Sequence, residues 1–102
     1  MTNMSFSQAI DDALAHAMAK DSRIVLLGED IQLMQRNLLV RFGAERVRNT
    51  PISESAFLGT AVAAAMAGLR PVVELYMVDF LGVWIDALLI HAAKVKTFSG
   101  GK

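Results

Sequence analysis

The chain is 102 residues long, a length that accommodates one domain with a modest hydrophobic core. Ten Lys and Arg residues balance ten Asp and Glu residues, so no charge excess favours binding to nucleic acid or to an anionic membrane surface. The absence of cysteine excludes disulfide bonds and thiolate metal sites, and it is typical of proteins in a reducing compartment.

Hydrophobic residues make up 54% of the sequence and charged residues only 20%, which is an apolar composition for so short a chain. No uninterrupted apolar run reaches the about 20 residues needed to span a bilayer, and the first residues lack the pattern of a signal or transit peptide. We therefore expect a soluble, cytoplasmic protein without a membrane or nucleic-acid partner. Its surplus apolar surface predicts that another protein subunit covers part of it.

Helical and extended patterns alternate along the chain in the order helix, strand, helix, short strand, helix, strand, helix. The predicted spans are a helix from Ser5 or Ser7 to about Lys20, a strand over 23–27, a helix over 31–42 ending at Gly43, a short strand over 46–49, a helix between Ser53 and Gly68, a strand over 72–77, and a helix from Phe80 to about Lys96 capped by Asp79. This alternation predicts an α/β fold with a mainly parallel sheet flanked by helices.

Two carboxylates, Glu29 and Asp30, directly follow the first predicted strand and Gly28. The strand is a short, continuous apolar run, which is typical of a parallel strand buried on both faces. Ligands of open α/β sheets bind at the carboxyl ends of the strands. This end of the sheet is therefore where we expect a site.

The segment Thr50-Pro51-Ile52-Ser53-Glu54 leads into the most apolar of the predicted helices. Pro51 restricts its own backbone and that of Thr50, which predicts a rigid, non-helical approach. Ser53 is a favourable N-cap, and Glu54 then falls in the first turn, where a carboxylate stabilises the helix dipole. Spacing alone favours a structural role for Glu54. Because the helix is apolar on nearly every face, we expect it to be buried on all sides.

This helix carries two distinct stripes. One is a ridge of small residues, and the other is bulkier and suited to packing on the chain's own sheet. The ridge consists of Ala56, Gly59, Ala63 and Ala67, and the bulky stripe of Leu58, Val62 and Met66. A small ridge allows a second helix to approach closely. Tight packing inside the fold and a contact between subunits both remain open.

The sequence lacks several familiar signatures of chemistry. His16 and His91 fall on different predicted helices without partners at metal-ligand spacing, so no metal site is expected. There is no nucleophile elbow, no Walker phosphate loop and no GxGxxG dinucleotide fingerprint.

Five segments resemble, in the same order, the beta subunit of the thiamine-diphosphate-dependent 2-oxoacid dehydrogenase decarboxylating component. The family includes the pyruvate, branched-chain 2-oxoacid and acetoin dehydrogenases. The segments are LLGED at 26–30, FGAERV at 42–47, TPISE at 50–54, AAAMAGLRPVVE at 63–74, and AAK at 92–94 with SGGK at 99–102. The resemblance spans nearly the whole chain. It identifies residues 1–102 as the N-terminal part of a transketolase-like pyrimidine-binding domain, the first third of such a subunit.

The resemblance assigns roles to specific residues. The glutamate of the PISE motif, here Glu54, is implied to hydrogen-bond N1′ of the cofactor's aminopyrimidine and to exchange a proton there, which makes it the catalytic residue. Ile52 of the same motif and Glu29 are implied to lie at the cofactor. Phe80 matches an aromatic residue that lies against the aminopyrimidine, and Tyr76 matches a neighbouring pocket position. Each of these roles has a structural alternative. Glu29 could be a solvated carboxylate in a turn, and Phe80 and Tyr76 could be ordinary core residues.

The resemblance also implies the cofactor and the partners. Thiamine diphosphate is the expected cofactor, with its diphosphate and Mg²⁺ held by an alpha subunit whose GDG…N motif is absent here. The other implied partners are a second beta subunit and a lipoyl-bearing acyltransferase component. The substrate stays open between pyruvate, a branched-chain 2-oxoacid and acetoin.

One segment departs from the family pattern. Between Asp30 and Phe42 the family carries a longer, glycine-rich segment near the active site, whereas this chain has eleven residues without glycine. Two hypotheses follow. The chain is either a portion of a dehydrogenase beta subunit that is inactive by itself, or a truncated, non-catalytic assembly module that binds a partner subunit but no cofactor.

Overall fold

The computed structural model of the chain describes residues 3–101. The helices are α1 (Phe6–Lys20), α2 (Ile31–Met34), α3 (Arg36–Phe42), α4 (Glu54–Met66), α5 (Leu81–Asp86) and α6 (Ala93–Phe98), and the strands are β1 (Ile24–Glu29), β2 (Val47–Thr50) and β3 (Arg70–Glu74). A 3₁₀ turn at Val78–Phe80 precedes α5, and a π-helical segment at Ala87–Ala92 joins α5 to α6. Met1, Thr2 and Lys102 lie outside the described residues, and Lys102 is the last residue of the SGGK segment.

The three strands form one parallel sheet in the order β2-β1-β3, which confirms the predicted α/β class. The central strand β1 aligns Glu29 with Thr50 of β2 and Gly28 with Glu74 of β3. Each return to the sheet runs through helices, as parallel strands require. All three strands therefore end at the same edge.

Side chains that alternate along β1 separate the core into two clusters, one on each face of the sheet. The first cluster lies under α1, α2 and α3 and contains Met18, Leu26, Ile31, Leu38 and Val47. The second lies between the sheet, α4 and α5 and contains Phe57, Leu58, Trp84 and Ala87. The Phe57 and Trp84 rings meet edge to face at 5.5 Å between centroids. The sheet is thus covered by helices on both faces.

The start of α1 and the end of α3 lie where the sequence predicts them. Ser5 and Gln8 form a reciprocal capping box, in which the Ser5 hydroxyl accepts from the Gln8 backbone N–H at 3.2 Å and the Gln8 side chain accepts from the Ser5 N–H at 2.8 Å. Gly43 ends α3 with a φ of 84°, a conformation that favours glycine. Both predicted ends are confirmed.

The predicted single helix over 31–42 is wrong, because the chain breaks at Gln35 into α2 and α3. The Gln35 side chain is buried, and its Nε2 donates to Glu74 Oε2 at 3.3 Å. Gln32 connects the same segment to β2 through two hydrogen bonds of 2.8 Å. Its Nε2 donates to Val47 O, and its backbone N–H donates to Asn49 Oδ1. The segment around the break is therefore hydrogen-bonded to both outer strands, β2 and β3.

The last strand and helix also differ from their predicted bounds. β3 begins two residues earlier than predicted and ends at Glu74, where the chain leaves the sheet and Leu75 packs on the second core cluster. Asp79 does not cap a helix, because it lies within the 3₁₀ turn, and the helical stretch beyond it contains a π segment. These deviations depend on tertiary packing, which a local pattern does not report.

The apolar composition of α4 predicts burial on all sides, and this prediction is wrong. Only Phe57, Leu58 and Ala61 are buried, all toward the sheet and α5, whereas Met66 of the predicted inward stripe is 64% exposed. A Cβ built at Gly59 would meet no atom within 4 Å. Tight packing inside this chain therefore does not explain the small-residue ridge at Gly59.

The chain exposes more surface than a compact monomer of its mass. Its accessible surface is 7028 Å², whereas a folded monomer of 11.1 kDa exposes about 5,700 Å². The radius of gyration is 14.6 Å, against about 13 Å expected for this length. None of the helices within residues 3–101 combines the length and apolar character that crossing a membrane requires.

Candidate active site

The carboxyl edge of the sheet brings together the ends of β1 and β2 and the start of α4. Glu29 is the last residue of β1, Thr50 the last residue of β2, and Glu54 the first residue of α4. Pro51 and the two residues after it make the short connection between β2 and α4. These three residues therefore lie at the edge of the sheet where the sequence predicts a site.

Glu54 begins α4 with a partly buried side chain. The side chain lies in the first turn of this 13-residue helix, beside backbone N–H groups that have no partner within the helix. Ser53 precedes it as the N-cap residue but makes no side-chain cap hydrogen bond, contrary to prediction. Within residues 3–101, no hydrogen bond or ion pair engages the Glu54 carboxylate, which leaves it available for a ligand.

Glu29 is not a freely solvated turn carboxylate. Its Oε1 atom is buried and has no hydrogen-bond partner in the described part of the chain. The Thr50 hydroxyl oxygen, on the neighbouring strand in register with Glu29, is buried and unpaired as well. Sequence reasoning missed Thr50. The signal that could have identified it was a polar residue at the end of a strand adjacent to the one that ends in Glu29.

A cavity of about 220 Å³ opens between β2 and the first two turns of α4. Its lining residues are Leu27, Asn49, Thr50, Pro51, Ser53, Ala56, Phe57 and Thr60. The lining is mostly apolar with a few hydroxyl and amide groups, which is the usual character of a small-molecule pocket. The cavity lies on the α4 face of the sheet, as does Leu27 of β1.

Ile52 and Phe80 both present apolar surface to solvent. Ile52 is 82% exposed in the connection before α4, and Phe80 is 40% exposed at the end of the 3₁₀ turn. Phe80 therefore does not take the alternative role of a core residue. Exposed apolar side chains of this size are suited to cover by a flat ligand or by another subunit.

The Tyr76 side chain is hydrogen-bonded to Glu74. Its hydroxyl donates to Glu74 Oε1 at 2.7 Å, and Gln35 donates to the other oxygen of the same carboxylate. Burial raises the pKa of Tyr76 above its usual range, and the hydrogen bond to Glu74 raises it further. Glu74 is in register with Gly28 and shares the face of the first core cluster. Tyr76 is thus tied to the face opposite the cavity.

No cluster in residues 3–101 brings together three His, Cys, Asp or Glu side chains that could hold a metal ion. His91 lies 3.8 Å from Asp86, measured from Nδ1 to Oδ2, in an exposed pair on the helices after β3. This pair is remote in sequence from the polar groups at the sheet edge.

Bacterial dehydrogenase and oxidoreductase beta subunits are similar to this chain over nearly its whole length. The acetoin:2,6-dichlorophenolindophenol oxidoreductase subunit beta of Bacillus subtilis is 37% identical over 97% of this chain and 34% of its own length. The pyruvate dehydrogenase E1 component subunit beta of Rhizobium meliloti is 39% identical over 100% of this chain and 24% of its own length. The 2-oxoisovalerate dehydrogenase subunit beta of Bacillus subtilis is 37% identical over 94% of this chain and 31% of its own length. The chain spans between 24% and 34% of the length of these relatives.

The alignment with the acetoin oxidoreductase subunit extends over 117 positions, although this chain has only 102 residues. That relative therefore carries additional residues inside the matched region. The transketolase pyrimidine binding domain family matches residues 2–101. The chain belongs to this family, as a counterpart of the matching region in the beta subunits of the 2-oxoacid and acetoin dehydrogenases.

Proposed function

We propose that this chain supplies the pyrimidine-side half of a thiamine-diphosphate site in a 2-oxoacid or acetoin dehydrogenase, with Glu54 as its catalytic carboxylate. The observation that carries the proposal is the position of Glu54. It begins a helix at the carboxyl edge of a parallel sheet, and no group in residues 3–101 occupies its carboxylate. The matched family and the named beta subunits supply the cofactor class.

The residues at this edge fit the aminopyrimidine end of the cofactor. Glu54 offers a carboxylate to hold a proton at the ring nitrogen N1′, and Glu29, at the end of β1, has a buried oxygen without a hydrogen-bond partner in residues 3–101. Phe80 presents exposed apolar surface suited to cover a flat ring and exclude water. When bound, thiamine diphosphate supplies the electron sink for cleaving the bond next to the substrate carbonyl.

The chemistry asked of Glu54 requires a carboxylate rather than an amide. A carboxylic acid gives and takes a proton at one oxygen, whereas a glutamine of the same shape only hydrogen-bonds.

The family resemblance implies that the diphosphate and Mg²⁺ are held by another subunit of the assembly. An alpha subunit that holds this end of the cofactor is therefore part of the proposal. A second beta subunit and a lipoyl-bearing acyltransferase complete the expected assembly.

The proposal is tested by Glu54→Gln in a complex reconstituted with an alpha subunit of a related dehydrogenase. We expect turnover to fall by at least about 100-fold, the usual contribution of a positioned acid or base, while the complex still assembles. Glu45→Gln makes the same chemical change at an exposed position and should leave turnover unchanged. Substantial turnover by the Glu54→Gln complex would remove Glu54 from the chemistry.

A second function, assembly without cofactor binding, is favoured by one observation. The segment that departs from the family pattern is folded into the core, with Ile31 fully buried and Gln35 bonded to Glu74. In this alternative the chain binds a partner subunit through its exposed apolar surface. The two functions differ in whether the assembled complex binds thiamine diphosphate.

A further inference from the structure

The outer edge of β2 is covered by the chain itself. Hydrogen-bonding groups alternate sides along a strand, and Arg46 O accepts from β1, so Val47 and Asn49 face the outer edge. The Val47 N–H donates to Gly43 O, and Val47 O accepts from Gln32 of α2. Cover by a helix and a turn closes an edge strand to further pairing.

The outer edge of β3 is open. The Arg70 N–H donates to Arg23 O on the β1 side, so Pro71 and Val73 face away from β1. No group in residues 3–101 hydrogen-bonds to Pro71 O, to the Val73 N–H or to Val73 O. None of the five residues of β3 is buried, whereas three residues of β1 are. Strand β3 therefore offers unpaired backbone donors and acceptors to another strand.

The side chains of β3 suit a covered position in a sheet. Val72 packs against the first core cluster and Val73 against the second, so the strand is apolar on both faces. Parallel strands of this kind are normally buried within a sheet. The charged residues Arg70 and Glu74 stand at the two ends of the strand. The middle of the edge thus carries no charge that would keep a further strand away.

We propose that a second copy of this chain pairs with this edge, β3 against β3 in antiparallel orientation, about a two-fold axis at Val73. The outward groups are self-complementary in this arrangement, as a two-fold contact requires. Each Val73 N–H donates to Val73 O of the other copy, and each Pro71 O accepts from the Leu75 N–H of the other copy. The two three-stranded sheets then form one sheet of six strands.

The register and the available surface both support this pairing. Glu74 lies opposite Val72 of the other copy, so the two carboxylates do not face each other. The accessible surface exceeds that of a compact monomer by more than the about 800 Å² that one partner gives to a standard interface. Met77 and Val78, which follow β3 closely, are 60% and 75% exposed and extend the contact. The pairing is independent of any cofactor bound at Glu54.

Val73→Pro tests the pairing, because proline lacks the outward N–H at the centre of the contact and is tolerated on an edge strand. Sedimentation equilibrium of the unmodified chain should give twice the monomer mass of 11.1 kDa. The variant should raise the dissociation constant of the dimer at least about tenfold without changing the far-UV circular dichroism of the chain. Met66→Ser is the control. It removes a 64% exposed apolar side chain from α4 and should leave the dissociation constant unchanged.

A disulfide gives a second test with a smaller change of side chain. The sequence contains no cysteine, so Val73→Cys introduces a single thiol per chain. Hydrogen-bonded partners in an antiparallel pair have Cα atoms about 5.5 Å apart, which is within the range that a disulfide bridges. Mild oxidation should therefore link Val73→Cys into a covalent dimer. Phe98→Cys, at the exposed end of α6, should not be linked under the same conditions.

Two results would overturn the pairing. One is a chain that stays monomeric at every concentration and whose Val73→Cys variant forms no disulfide dimer. The other is a dimer that Met66→Ser dissociates and Val73→Pro does not, which would place the contact on the helices instead of the strand edge.

Discussion

Glu54 and Glu29 show how the same side chain acquires different properties at one sheet edge. Glu54 stands at a helix start without a partner in the described chain, whereas Glu29 has one oxygen buried beside the Thr50 hydroxyl. The position of Glu54 follows from the sequence, since Pro51 and Ser53 precede a helix start, whereas β1 runs two residues beyond its predicted end, through Gly28 to Glu29. The burial of Thr50 does not follow, because it depends on the register between β1 and β2.

Asp21 gives a pH-dependent prediction at the residue scale. Hydrogen bonds from the Arg23 side chain and backbone lower the pKa of Asp21 to about 2. A lowered folded-state pKa stabilises the fold fully above the unfolded pKa of about 4, and this contribution is lost as pH falls through about 2. Asp21→Asn should therefore lower the urea midpoint slightly at pH 7.

The pH dependence of the difference checks this account of Asp21. The urea midpoints of the unmodified and Asp21→Asn chains should converge between about pH 4 and pH 2. Asp12→Asn, at an exposed position on α1, serves as the control and should show no such convergence. A midpoint difference that is constant over this range would refute the role given to Asp21.

At the element scale, boundaries set by local chemistry were predictable, and those set by distant contacts were not. Ser5 and Gly43 marked the ends of α1 and α3 because capping involves only residues nearby in the sequence. The break at Gln35 depends on a hydrogen bond to Glu74, 39 residues away. The apolar composition of α4 predicted full burial, but one sheet and the helices after β3 cover only one side of it.

Arg46 connects three elements and carries the prediction at this scale. Its Nε donates to Ile24 O at 3.0 Å, and one terminal nitrogen donates to Met18 O and Asp21 O, both at 2.8 Å. The guanidinium also lies 5.1 Å from the centre of the Phe42 ring. A lysine ammonium lacks this fork of donors, so Arg46→Lys should reduce the free energy of unfolding by about 2 kcal/mol.

Urea denaturation of the two chains measures this change. Arg36→Lys is the control, because Arg36 is exposed at the start of α3 and forms no hydrogen bond or ion pair within residues 3–101. If Arg46→Lys were as stable as Arg36→Lys, the three carbonyl contacts would not hold α1, β1 and the turn between them together.

At the scale of the whole molecule, the dominant feature is exposed apolar surface. The chain exposes roughly 1,400 Å² more than a compact monomer of its mass, whereas a standard interface takes about 800 Å² from each partner. The exposed large side chains on and after α4 are Met66, Leu69, Met77, Val78, Phe80, Leu81, Val83, Ile85, Leu88, Leu89, Ile90 and Phe98. This surface accords with the composition, which predicted cover by another subunit.

In the proposed function the cofactor site belongs to an assembly, with Glu54 and Glu29 supplied by this chain and the ligands of the diphosphate and Mg²⁺ supplied by an alpha subunit. The most direct test is a calorimetric titration of thiamine diphosphate with Mg²⁺ into an equimolar mixture of this chain and an alpha subunit of a related acetoin or pyruvate dehydrogenase. We predict saturable heat that neither component gives alone and that Glu54→Gln reduces. A mixture that gives no more heat than the alpha subunit alone would contradict the proposed site and leave assembly as the function of this chain.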